Sequence, residues 1–336
     1  MRSRALRLLR SSRGLSQGSR QVDRCKLHTL LPRPLTGPLT RVVITIALAI
    51  VPALVSAQEL EPGAYWPIPR GLNILTTVVG TNWGDVTFDP ALPVDDGSAR
   101  IGSLAFAYAR AFGIGGRSAN ASVALPIMRG RVRGIYLGER AEVSRFGLGD
   151  PKLKLAINLY GAPSMAPVEF AKYRQRWLVG VSLTVAPPLG EYNPAVFINL
   201  GSNRWSFKPE IGVSRTRGSW ILEAMAGVWL FTDNTNFAGG RTREQDPVVI
   251  TQVHLTRRFT PGMWLAADAN FFTGGRTTVN GTANLDLQRN SRIGFTFSKA
   301  LRRNHAIRAS VSRGAYTTIG ADFTSIAVGY NYAWAR

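Results

Sequence analysis

The stretch SIAVGYNYAW, residues 325–334, decides the fold. Ile326, Val328, Tyr330, Tyr332 and Trp334 share one parity, and Ser325, Ala327, Gly329, Asn331 and Ala333 share the other. A period of two belongs to an extended strand, whose successive side chains point to opposite faces. A helix, at about 3.6 residues per turn, would mix the two sets. One face is large and apolar, the other small and polar.

The same alternation recurs upstream. Leu153, Leu155, Ile157 and Leu159 oppose Lys152, Lys154, Ala156 and Asn158. Trp177, Val179, Val181, Leu183 and Val185 oppose Gly180, Ser182 and Thr184, and Trp220, Leu222, Val228 and Leu230 oppose a face carrying Glu223. Leu265, Ala267, Ala269 and Phe271 oppose Asp268 and Asn270; Ile293, Phe295 and Phe297 oppose Gly294, Thr296 and Ser298; Ile307, Ala309 and Val311 oppose Arg308, Ser310 and Ser312. The polar faces lean to Gly, Ser, Thr and Asn with single charges, whereas the outward face of a soluble sandwich is rich in Lys and Glu. Aromatics gather near the ends of the apolar faces. Apolar outward, polar inward and aromatic at the rims is the pattern of an outer-membrane barrel.

About twelve strands are expected, near 71–84, 99–112, 117–132, 149–160, 174–186, 205–215, 220–232, 248–259, 263–273, 291–300, 305–313 and 325–334. Connections after odd strands are long (85–98, 133–148, 187–204, 233–247, 274–290 and 314–324), and those after even strands are mostly short. Short periplasmic turns and long outer loops produce that parity when the N-terminus lies inside. The connection 161–173 is long for a periplasmic turn and reads as holding a helical turn at 167–173. The fold class is therefore all-β, a transmembrane antiparallel up-and-down β-barrel preceded by a cleaved signal peptide.

Composition agrees. Of 336 residues, 45% are hydrophobic and only 18% charged, which excludes intrinsic disorder, and the one cysteine, Cys25, excludes a disulfide scaffold. No apolar run of roughly 18 residues lies beyond position 57, so a helical transporter is excluded. Residues 1–41 hold ten Lys/Arg against Asp23 alone; the apolar run VVITIALAIVPALV (42–55) follows and ends at Val55-Ser56-Ala57. Basic, apolar, then small is the order of a secretory signal peptide cleaved after Ala57. The net charge of +21 then falls to +12, from 31 Lys/Arg and 19 Asp/Glu. The organisation expected is a removed leader (1–57), a periplasmic N-terminal segment (58–70) and an outer-membrane barrel (71–336).

The stretch Gly147-Leu148-Gly149-Asp150-Pro151-Lys152-Leu153-Lys154 resembles a bacterial outer-membrane family labelled "putative MetA-pathway of phenol degradation". Tyr160-Gly161-Ala162-Pro163, Pro188-Leu189-Gly190-Glu191-Tyr192, Asn199-Leu200-Gly201-Ser202-Asn203-Arg204-Trp205-Ser206-Phe207-Lys208-Pro209-Glu210, Thr232-Asp233-Asn234, Gln245-Asp246-Pro247 and Gly274-Gly275 extend the resemblance over roughly 70–334. Pro188-Leu189-Gly190 departs from the family's usual Pro-Thr-Gly. The resemblance implies a β-barrel in the bacterial outer membrane and, through gene context, a link to uptake of aromatic compounds. Tyr330, Tyr332 and Trp334 resemble the C-terminal signal read by the barrel-assembly machinery, although Ala335 and Arg336 follow them.

Lys152, Lys154, Asn158, Glu223, Asp268, Asn270, Arg308 and Ser310 fall on inward faces and are the candidates for a solute path. Opposed charges in a pore set selectivity; the same charges would equally serve as an internal ion-pair network plugging the barrel. Gly147, Gly149 and Asp150 read as a tight turn. Asp233, Asn234, Gln245, Asp246, Gly274 and Gly275 sit in expected outer loops, either folding into the mouth or lying as plain loop. His254 and His305 are the histidines beyond the leader, with no serine paired by sequence, and no zinc set is present. The expected function is passive passage of a small aromatic or hydrophobic solute. A structural or surface barrel with a plugged lumen is the first alternative, and a lipid-hydrolysing enzyme barrel the second. Expected partners are outer-membrane lipid and lipopolysaccharide, the assembly machinery and a small-molecule solute; no nucleic acid, cofactor or metal is expected.

Overall fold

The computed structural model describes residues 60–86, 94–196, 198–302 and 304–335. The expected leader and its cleavage site at Ala57 lie outside the described residues. The strands are β1 (Leu72–Val86), β2 (Val94–Ile114), β3 (Arg117–Tyr136), β4 (Glu139–Leu148), β5 (Lys152–Tyr160), β6 (Trp177–Ala186), β7 (Ser206–Arg217), β8 (Trp220–Phe231), β9 (Asn234–Phe237), β10 (Arg241–Gln245), β11 (Val248–Thr260), β12 (Met263–Gly274), β13 (Thr277–Val279), β14 (Thr282–Ala283), β15 (Gln288–Arg302), β16 (His305–Tyr316) and β17 (Ala321–Ala335). One short helix, α1 (Pro167–Lys172), lies in the connection after β5.

Twelve antiparallel staves close a barrel in the order β2, β1, β17, β16, β15, β12, β11, β8, β7, β6, β5 and β3, with β3 pairing back onto β2. The seam is complete, because β1 and β17 pair from Leu72↔Ala335 to Val86↔Ala321. Closure leaves no unpaired ring edge, which is what a spanning sheet requires where lipid offers no hydrogen bonds. Along β11, Gln252, His254 and Thr256 are buried while Val253 and Leu255 are exposed. Phe295, Val328 and Leu222 are likewise exposed on their strands, so the apolar parity faces outward as a lipid belt. Trp177, Trp220, Tyr330 and Tyr332 mark one rim. There Arg215 lies 5.0 Å from the Trp177 ring centroid and Arg257 5.3 Å from that of Trp220.

Two ends are distinct. One carries the two-residue turns at 115–116, 218–219 and 261–262 together with the α1 connection; the other carries the long loops. In α1, Pro167 opens the first turn, where a missing N–H costs nothing, and the Glu169 carboxylate accepts from the Ala166 N–H at 2.6 Å.

The segment 133–148 departs from expectation. It is not an open loop but a hairpin of β3 and β4, turned at Leu137 and Gly138 with φ of 51° and 86°. Its strands are linked by charge: Arg131 and Arg133 both reach Glu142, at 3.1 and 2.7 Å. An apolar period therefore could not reveal it. Stave four is also broken. β4 pairs with β3 alone and β5 with β3 and β6, with the break at 149–151, where the Gly149 N–H donates to Pro126 O. The loop 187–205 packs against this break through the Glu191 N–H and Leu148 O at 2.7 Å.

Candidate functional site

Residues 60–70, the described part of the 58–70 segment, run inside the barrel and occlude its short-turn half. Ala64, Tyr65, Trp66 and Ile68 are all buried. Such side chains gain by leaving water, and the inner wall provides their seats. Tyr65 packs with Ala156, Leu178 and Met225, Trp66 with Ile221, Trp264 and Ala266, and Ile68 with Leu72, Ala109 and Ala333. The Trp66 and Trp264 rings meet edge-on at 5.5 Å. Gly180 and Gly212 explain why the inner face is so small: a Cβ on either would stand 2.3 Å from the Tyr65 ring.

Polar contacts hold the same segment. Glu61 pairs with Lys154 at 2.6 Å, and its N–H donates to Gln252 Oε1 at 3.3 Å. The Gly63 N–H donates to the Glu223 carboxylate at 3.1 Å, and the Tyr65 hydroxyl to Glu210 Oε1 at 3.0 Å. Burial alone would raise the Glu61 carboxyl, but Lys154, Lys208 and Lys152 outweigh it and hold it down to about 2. Burial beside Glu210 pushes the Tyr65 phenol up, so it stays a neutral donor.

The inward candidates all lie on the lumen wall. Lys154 and Glu223 grip the inserted segment directly. Asn158 lies beside the Tyr65 seat at Gly180. Asp268 accepts from Thr296 at 2.6 Å and contacts His254 Nδ1 at 2.7 Å. Arg308 stacks over Trp264 at 4.9 Å. Asn270 lies near the long-loop end, while Lys152 and Ser310 line a separate cavity. Sequence reasoning missed Glu61, Tyr65 and Trp66. Their signal was the apolar run Ala64-Tyr65-Trp66-Pro67-Ile68-Pro69, unsuited to exposure in water. It also missed the Lys208–Glu210 pair at 3.0 Å, whose parity on β7 marks it as inward. His254 Nε2 has no hydrogen-bond partner among the described residues.

The loop candidates pack together, and two of them, Asp150 and Gln245, also line cavities of the lumen. Asp150 accepts from the Gly190 N–H (2.8 Å), the Ser202 N–H (2.8 Å) and the Ser202 hydroxyl (2.6 Å). Gly147 and Gly149 leave room for Glu191 and Met128, which a Cβ would strike. Asn234 accepts from Asn203 at 2.8 Å and donates to Tyr192 at 2.9 Å. Gln245 bonds Arg204 and Gly275 O, and the Asp246 N–H donates to Arg276 O. Gly274, at φ 115°, meets Pro247 O so closely that a Cβ would lie 2.2 Å away. Asp233 sits within the field of Arg204. The loop strands β9, β10, β13 and β14 form a small second sheet.

Above the inserted segment a cavity of about 460 Å³ opens between Leu60, Pro126, Met128, Leu200 and Phe323, with Asp150, Lys152, Asn82 and several Ser and Thr hydroxyls, those of Thr296 and Ser310 among them, as its polar groups. Among the described residues no group of three or more His, Cys, Asp and Glu side chains is placed to hold a metal ion.

A closed twelve-stave barrel with an apolar belt and an occluded, charged lumen defines an outer-membrane β-barrel protein. The chain belongs to the family described as "Putative MetA-pathway of phenol degradation", whose sequence model matches residues 84–318. Among solved structures it is similar to the COG4313 outer membrane channel from Pseudomonas putida F1, with 21% identity and a TM-score of 0.70 over 82% of this chain and 100% of that one. That likeness concerns the fold. The likeness is weaker to the NanC porin (8% identity, TM-score 0.44, covering 77% of this chain and 98% of that) and to the CymD monoaromatic hydrocarbon channel (10%, 0.39, 80% and 89%). No curated protein matches the sequence.

Proposed function

We propose that the barrel is an outer-membrane channel for passive passage of a small aromatic or hydrophobic solute, with the inserted segment as its closure. The observation that carries this reading is the mainly apolar cavity seated on Leu60. A dry cavity of about 150 Å³ is enough to hold benzene, so this one accommodates a substituted single ring. The family description supports the solute class, and the fold shared with the Pseudomonas putida channel supports the architecture. Lipid and lipopolysaccharide surround the belt in this reading, and Tyr330, Tyr332 and Trp334 address the chain to the assembly machinery.

The plugged-scaffold alternative is favoured by the density of contacts below the cavity, where three apolar clusters and the Glu61–Lys154 pair close the lumen. Flux separates the two. The 58–336 chain and a chain lacking 58–70 are placed in liposomes, and phenol flux and planar-bilayer conductance are measured. A channel passes phenol and gains conductance on removal of the segment. A barrel that folds yet passes neither phenol nor ions in either form is a scaffold.

A further inference from the structure

The lumen holds another cavity, of about 340 Å³, at the long-loop end. Trp229 and Phe231 of β8, Ile250 of β11 and Phe272 of β12 give it aromatic and aliphatic walls, side-chain amides such as those of Asn270 and Asn290 line the remainder, and Arg204 joins them from the loop before β7. The Arg204 guanidinium lies over the Phe231 ring, 4.2 Å from its centroid. The residue is only 9% exposed. Its Nη2 donates to Gln245 Oε1, but Nε and Nη1 are buried without a hydrogen-bond partner among the described residues.

A guanidinium buried with unmet donors is costly unless an anion accompanies it. Burial and the neighbouring Arg243 push its proton affinity down to about 9, against the pull of Asp150 and Asp233. Asp150 spends its oxygens on Gly190 and Ser202. The Lys152 and Lys208 ammoniums each lie 5.7 Å from the Trp229 ring centroid, Lys208 being paired with Glu210 at 3.0 Å. The missing element is therefore an acceptor with negative charge, next to a wall of rings.

We propose that this cavity binds a small aromatic carboxylate, with the carboxylate paired to Arg204 and the ring against Trp229, Phe231 and Phe272. Two features select the class. A neutral ring would fill the walls but leave the guanidinium unpaired. A short aliphatic acid would pair the guanidinium but leave the aromatic wall uncovered. The proposal deepens the channel reading and rests on it only for how the ligand arrives.

Benzoate is the probe. It is titrated at neutral pH into the folded 58–336 chain in detergent, followed by calorimetry and by tryptophan fluorescence, with benzyl alcohol and acetate as controls. Saturable benzoate binding is expected, at least tenfold tighter than either control. Arg204→Gln should weaken benzoate at least tenfold and leave benzyl alcohol unchanged. Should Arg204→Gln fail to fold, Gln245→Glu keeps the guanidinium and gives it an internal carboxylate, which should compete with benzoate to the same extent. Benzoate affinity unchanged in a folded Arg204→Gln or Gln245→Glu chain, or benzyl alcohol or acetate binding as tightly as benzoate, overturns the proposal. Phenol flux in liposomes keeps the two readings apart. Flux without benzoate binding removes this site alone, and benzoate binding without flux removes the channel reading alone.

Discussion

Glu61→Gln tests the closure most directly. The Glu61 carboxylate lies 2.6 Å from Lys154 Nζ, with side chains only 10% and 5% exposed. Lys154, Lys208 and Lys152 overcome the effect of burial and hold the carboxyl at about 2, against an ordinary 4.5. That difference corresponds to about 3 kcal/mol of docking free energy at neutral pH, in line with the roughly 3–5 kcal/mol lost when one partner of a buried pair is removed. The ratio of docked to undocked segment should fall by roughly two orders of magnitude. In a planar bilayer this reads as openings about 100-fold more frequent at pH 7. Adding Lys154→Met removes the uncompensated cation, and the double variant should return most of the closure. The pH dependence follows from the depressed carboxyl. Its contribution is complete above about 4.5 and is lost as pH falls toward 2, so the native chain opens in that window while Glu61→Gln shows no such step. Equal opening frequency in Glu61→Gln and the native chain at pH 7 would refute the reasoning, as would an acid response that survives the substitution.

Three further outcomes are expected. Gly212→Leu should dislodge the Tyr65 ring, since even a Cβ there lies 2.3 Å from it, and raise conductance; Gly102→Ala, whose nearest neighbour is 4.0 Å away, should not. Asp150→Ala removes the acceptor of three hydrogen bonds and should cost the loop 187–205 about 1–3 kcal/mol of local stability; protease cleavage there should accelerate, and an unchanged rate would place the restraint elsewhere. Val253→Arg puts a charge on the lipid face and should cost about 2–4 kcal/mol if the residue lies near the bilayer midplane. Urea unfolding in lipid vesicles measures it, and a loss no larger than that of Val253→Ala would contradict the outward parity.

The barrel was legible because its signal is local. On β11, β12 and β17 alternate residues meet either lipid or lumen, and that contrast is written residue by residue in Val253 against His254 and Tyr330 against Asn331. The inward parity of Lys154, Glu223, Asp268 and Arg308 followed from the same count. The β3–β4 hairpin escaped because the side-chain links across it are the charges of Arg131, Arg133 and Glu142, which an apolar period does not report.

What the sequence determined by itself was the architecture and the family, since strand parity and the order of short motifs survive without coordinates. Only the tertiary structure decided what fills the lumen. The inserted segment has no periodicity, and its partners come from distant staves: Glu61 meets Gln252 across 191 positions and Gly63 meets Glu223 across 160. Gly180 and Gly212 look like neutral fillers in the chain and become the seat of an aromatic ring only when β6 and β7 stand side by side. Arg204 likewise reads as one residue of a family motif, and becomes a buried, partly unpaired cation only when β8, β11 and β12 close around it. Such contacts arise from closure of the ring, and closure is a property of all twelve staves together.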